Sequence, residues 1–116
     1  MTGRDDPPRP DPSERELLHA SCVCVDGRAV LILGASGSGK SGRALQLITL
    51  GATLVADDRT EVWRHETTLW ADAPDRLRGL IEAREIGILR VPSAGARPVA
   101  LLVDMNASET DRLPQW

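Results

Sequence analysis

Gly34-Ala35-Ser36-Gly37-Ser38-Gly39-Lys40-Ser41 fits the pattern G-x-x-x-x-G-K-[ST] at every position. Glycines let successive backbone N–H groups converge on one anion, and a lysine beside them adds a point charge. A hydroxyl directly after the lysine is placed to ligate a hard cation such as Mg²⁺. All eight residues, Gly34, Ala35, Ser36, Gly37, Ser38, Gly39, Lys40 and Ser41, are therefore read as a nucleotide phosphate site. Lys40 is the only lysine, against thirteen arginines. Asp57-Asp58-Arg59 follows, with Asp58 eighteen residues after the lysine. Alone, that triplet is equally a solvated turn. After a phosphate loop, carboxylates at a strand end are where phosphoryl-transfer enzymes keep a metal ligand or a base. Neighbours in extended chain point to opposite sides, so only one should face the phosphates. The spacing selects Asp58 as the proton carrier and leaves Asp57 to support Mg²⁺.

Such chemistry needs a strand to deliver the loop and a helix to leave it. Leu17–Val25 reads as a strand, Asp26-Gly27 as a two-residue hairpin turn, and Arg28–Leu33 as the returning central strand. Ala44, Leu45, Leu47, Ile48 and Leu50 recur at helical spacing over Ser41–Leu50, and Gly51 sits where a helix C-terminal glycine belongs. Ala52–Ala56 reads as the strand that ends at the carboxylates. Thr60–Arg64 and Thr67–Ala71 read as a second hairpin carrying Trp63 and Trp70. Asp75–Gly79 reads as a helical turn, and Leu80–Val91 and Val99–Val103 as further strands around a loop at Pro92–Pro98. The fold class expected is α/β: a P-loop nucleotide-binding core, β-rich, with hairpins around one P-loop helix.

At 116 residues the chain has room for one domain. Its 41% hydrophobic and 27% charged residues match an ordinary soluble composition. Residues 1–14, with Pro7, Pro8, Pro10 and Pro12 among Arg and Asp, read as a disordered tail without core contacts; 15–116 read as the folded domain. No apolar run is long enough to span a bilayer, and no leader pattern is visible, which predicts a cytoplasmic protein. A net charge of −3 and the absence of Phe and Tyr argue against a nucleic-acid partner. Cys22 and Cys24 read as small buried residues. Along one strand they do not reach disulfide geometry, and His19 and His65, the only histidines, are too few to complete a zinc site.

Several blocks together resemble one family, the catalytic domain of HPr kinase/phosphorylase. They are Leu18-His19, Gly34–Ser41, Leu54-Val55-Ala56-Asp57-Asp58-Arg59, Ile81-Glu82-Ala83-Arg84-Glu85-Ile86-Gly87-Ile88-Leu89 and Asp111-Arg112-Leu113. The resemblance implies an ATP- and Mg²⁺-dependent protein-serine kinase acting on HPr, the phosphocarrier of the sugar phosphotransferase system, with phosphorolysis of phospho-HPr as its reverse. It implies Asp58 as the base, Lys40 and Ser41 on nucleotide and magnesium, Glu82 as a second magnesium ligand, and His19 and Arg112 as further active-site residues. A homohexamer is implied too. The family's signature has Gly where this chain has Glu85. The long N-terminal domain of many members and their later C-terminal segment have no counterpart here, so the chain reads as a short, C-terminally truncated form. The competing readings are a catalytically weak nucleotide-binding regulatory module and a small-molecule P-loop kinase. The latter lacks an Arg-rich lid segment here.

Overall fold

The computed structural model describes residues 9–35 and 37–105. A 3-10 turn at Pro12–Glu14 leads into β1 (Glu16–Val25), which hairpins through Asp26-Gly27 into β2 (Arg28–Leu33). Both turn residues have positive φ, 52° and 78°, the twist that a two-residue hairpin requires. Helix α1 (Lys40–Thr49) follows the glycine-rich loop, and β3 (Thr53–Ala56) returns to the sheet. Then come β4 (Arg59–His65), β5 (Thr68–Asp72), a 3-10 turn at Asp75–Leu77, β6 (Leu80–Ala83), β7 (Gly87–Arg90) and β8 (Arg97–Asp104).

The strands pair in a closed circuit. β1 bonds β4 through Glu16–His19 and β2 through Ala20–Val25, both antiparallel. β4 bonds β5, β5 bonds β8, and β8 runs parallel to β2, which returns to β1. β3 adds to the far part of β1, with a register shift between Cys22 and Val23. A five-strand circuit leaves a narrow interior. The cluster drawn from these strands is accordingly rich in small residues: Ala20, Cys22, Ala29 and Ala71 beside Leu31 and Val62.

The opposite face of β1 and β2 packs under α1. Val23, Ile32, Leu54 and Ile81 meet Ala44, with Leu45, Leu47 and Ile48 at their margin. That i, i+3, i+4 stripe is the helix's apolar face. The β1–β2 pair is thus covered on both sides, which explains its unbroken apolar run. Truncating Leu31 or Ile32 to Ala should cost about 2–5 kcal/mol through lost transfer and the cavity left behind. The helix closes with Leu50 and Gly51 N–H groups donating to Leu47 and Ile48 carbonyls. No helix among the described residues is long and apolar enough to cross a membrane.

Two expectations change. Leu80–Val91 is not one strand but a hairpin, β6 against β7, with Ala83 opposite Gly87. Its turn holds Glu85 at φ 70°, a conformation that an extended strand never visits. The tail expectation is corrected for residues 9–14. The Arg9 guanidinium pairs with Glu61 and with Asp72 (2.6 Å), donates to the Ala73 carbonyl and lies over the Trp63 ring at 5.5 Å. Arg15 reaches the same Glu61 carboxylate at 2.7 Å. Proline content suppresses helix and strand but does not stop a single arginine from docking on an acid pair that includes the buried Asp72. Trp63 and Trp70 do sit opposite each other across the β4–β5 hairpin. Cys22 and Cys24 are free and buried, and burial pushes the Cys22 thiol well above its ordinary value.

Candidate functional site

The glycine-rich loop leaves the end of β2 and turns into α1 at Lys40. Its glycines are required by geometry. Gly37 and Gly39 have φ of 85° and 98°, and a Cβ on Gly34 would collide with Ser38 Oγ. Ser38 Oγ is buried in the loop with no partner of its own. Lys40 opens the helix but lies only 3% exposed. Its Nζ donates to the Ala35 carbonyl at 3.0 Å, so the lysine folds back over its own loop.

β3 brings the carboxylates to the same place. Lys40 Nζ stands 3.3 Å from Asp58 Oδ1. Ser41 Oγ donates to Asp57 Oδ1 at 2.6 Å. The expectation that adjacent acids face opposite sides is corrected here, since Asp57 and Asp58 both face the loop. Asp58 adopts φ 66°, outside the extended region in which side chains alternate. Its carbonyl accepts the Ala20 N–H at 3.1 Å, which ties the turn to β1. Arg59 Nε lies 3.7 Å from Asp58 Oδ2 on the outer side.

Asp57 is the most heavily bonded acid of the site. Beyond Ser41 it accepts the Ser21 hydroxyl at 2.8 Å and, through Oδ2, the Glu82 backbone N–H at 2.9 Å. Glu82 thus enters the site through its amide, while the residue itself is exposed on the outer face of β6. His19 is exposed and sits opposite Arg59 in the β1–β4 ladder, one position from Asp58. Ser36 and Arg112 lie outside the described residues.

One participant escaped the reading of the sequence. Ser21 is fully buried and accepts the Asp58 N–H at 3.0 Å while bonding Asp57. The available signal was a hydroxyl two residues after His19 inside an apolar strand, hence on the same strand face as His19. A hydroxyl placed there needs partners.

Among the described residues no group of three or more His, Cys, Asp or Glu side chains could enclose a metal ion. Ser41 and Asp57 offer hard oxygens of the kind Mg²⁺ takes when phosphate and water complete its shell. The arrangement can bind an anion on the loop and hold a carboxylate beside it.

Fold and site define a class: a β-rich domain whose one α-helix among the described residues starts at a glycine-rich loop facing two strand-end carboxylates. The chain belongs to the HPr Serine kinase C-terminal domain family, whose model matches residues 11–105. It is 50% identical over 78 residues to HPr kinase/phosphorylase of Limosilactobacillus reuteri (strain DSM 20016), covering 66% of this chain and 24% of that protein. Against the Streptococcus mutans HPr kinase/phosphorylase it is 44% identical over 82 residues, covering 70% and 26%. Among solved structures, the HPr(Ser) kinase/phosphatase from Coxiella burnetii matches with a TM-score of 0.71 and 30% identity, over 77% of this chain and 64% of that one. The chain thus spans about a quarter of the length of these curated relatives.

Proposed function

We propose that this chain is a P-loop protein-serine kinase that transfers the γ-phosphoryl group of ATP, with Mg²⁺, to an HPr-type phosphocarrier protein. The observation that carries the reading is the Lys40–Asp58 pair at 3.3 Å, a phosphate-type lysine held against a carboxylate at the mouth of the loop. The residues suit the nucleotide and the ion. The loop is open at Gly37, where no atom lies within 4 Å of the Cβ position, and it has an unpartnered Ser38 hydroxyl inside it and two hard oxygens at its helical end. Bound Mg²⁺ supplies charge neutralisation at the phosphate oxygens.

The chain's own groups do the rest. Backbone N–H groups of residues 34–41 and the α1 N-terminus orient the phosphates. Lys40 exchanges the Ala35 carbonyl for phosphate oxygen and stabilises charge on the moving group. Asp57 fixes Ser41. Asp58 takes the proton of the acceptor serine as its oxygen bonds to the γ-phosphorus. The bond to the bridging oxygen breaks and ADP leaves. By family resemblance, Glu82 enters this reading as a second magnesium ligand, and His19 and Arg112 as further active-site residues. HPr as partner and a homohexameric state enter on the same ground, and a cytoplasmic location enters as the sequence's own expectation.

Incubation with γ-labelled ATP, Mg²⁺ and purified HPr tests it. Labelled phosphoserine on HPr is the expected product. Tight nucleotide binding without transfer would replace the kinase with a regulatory nucleotide-binding module.

A further inference from the structure

Ser21 lies at 0% exposure on β1, and its single hydroxyl serves both acids at once. It donates to Asp57 Oδ1 at 2.8 Å and accepts the Asp58 backbone N–H at 3.0 Å. Neither partner is otherwise placed by its own strand. β3 ends at Ala56, and Asp58 has left the extended region with φ 66°. A non-glycine residue in that conformation persists only where its surroundings hold it. Two groups of β1 hold this one: the Ala20 N–H on the Asp58 carbonyl (3.1 Å) and the Ser21 hydroxyl on its N–H. Nearby, Thr60 Oγ1 donates to the Ala20 carbonyl at 2.7 Å, so the backbone that carries Ser21 is itself tied down.

We propose that Ser21 is a positioning residue, a buried hydroxyl bridge that sets Asp57 on Ser41 and turns Asp58 toward Lys40. It touches neither nucleotide nor acceptor. The inference rests on the preceding reading only for what the two acids do once they are in place. The bridge couples them: one hydroxyl orients the carboxylate beside the cation-ligating serine and fixes the backbone of the carboxylate that faces the lysine. Removing it takes the hydroxyl acceptor from the Asp58 N–H and leaves Asp57 with one bond fewer. The consequence falls on turnover and on the Mg²⁺ requirement together, a combination that a merely packed serine would not produce.

Ser21→Ala and Ser21→Thr, which keeps the hydroxyl, are compared with the parent chain in three readouts. These are HPr phosphorylation against Mg²⁺ concentration, ATP binding with and without Mg²⁺, and hydrogen exchange of the Asp58 amide. The expected result for Ser21→Ala is a fall of tenfold or more in kcat at little changed KM for ATP. A higher Mg²⁺ requirement and faster exchange at Asp58 accompany it, and Ser21→Thr recovers most of each. Parent-like kcat, Mg²⁺ response and exchange in Ser21→Ala overturn the proposal, as does equal loss in both variants. If the parent itself phosphorylates nothing, the kinase reading fails separately. The bridge is then judged by exchange at Asp58 and by the Mg²⁺-dependent gain in ATP affinity: both parent-like in Ser21→Ala overturn it, and both lost there but kept in Ser21→Thr sustain it.

Discussion

Asp57 and Asp58 are neighbours with different surroundings, and the difference supports the separate roles proposed for them. Asp57 accepts hydrogen bonds from Ser41, Ser21 and the Glu82 amide, so its oxygens are committed to holding other groups. Asp58 keeps its carboxylate toward Lys40 and Arg59, with its side chain 42% exposed and open to an incoming hydroxyl. Asp58→Asn keeps size and removes the proposed base. In a loose phosphoryl-transfer transition state this should lower turnover by about 10²–10⁴ with little change in ATP affinity. Asp57→Asn should instead raise the Mg²⁺ concentration needed for activity. Steady-state rates across a Mg²⁺ series decide between them. A near-parental rate in Asp58→Asn beside a dead Asp57→Asn at saturating Mg²⁺ would reverse the assignment.

At the scale of elements, the β6–β7 hairpin brings the Glu82 amide to Asp57, and its turn carries the clearest local conflict between residue and backbone. Glu85 sits at φ 70°, where an L side chain crowds its own carbonyl. Glycine removes that strain but adds unfolded-state entropy. The net expectation for Glu85→Gly is a gain of about 0.5 kcal/mol, read as a rise of a few degrees in Tm. A fall in Tm would mean that the glutamate side chain contributes more than its backbone costs. This turn also shows where the sequence stopped being legible. The first hairpin announced itself through Asp26-Gly27, and α1 through its apolar stripe, so both were readable within a residue or two. Arg84-Glu85-Ile86 has no Gly, Asn or Pro in it, so Leu80–Val91 looked continuous. The loop was legible because its pattern is local. The Ser21 bridge was not, because it depends on a pairing between β1 and a turn 36 residues away that periodicity does not encode.

Across the whole molecule, the closed strand circuit, β3, the covering helix and the β6–β7 hairpin bring residues 21, 40, 41, 57, 58 and 82 together. The N-terminal segment adds a brace on the β4–β5 side, where Arg9 and Arg78 converge on the buried Asp72. Arg78 also bonds Asp75 and holds that carboxyl below its ordinary value. Arg9→Ala should therefore cost about 1 kcal/mol, or roughly 4 °C in Tm, while leaving ATP affinity alone. An unchanged Tm would show that the brace adds nothing in solution. The loop from Gly34 to Ser41 is proposed as a nucleotide phosphate site that depends on Lys40. Calorimetric titration of Mg·ATP into the parent and into Lys40→Ala tests it most directly. One site per chain in the parent and affinity weakened tenfold or more in the variant, at unchanged circular dichroism, is the predicted result. Equal affinity in the two proteins would contradict the account.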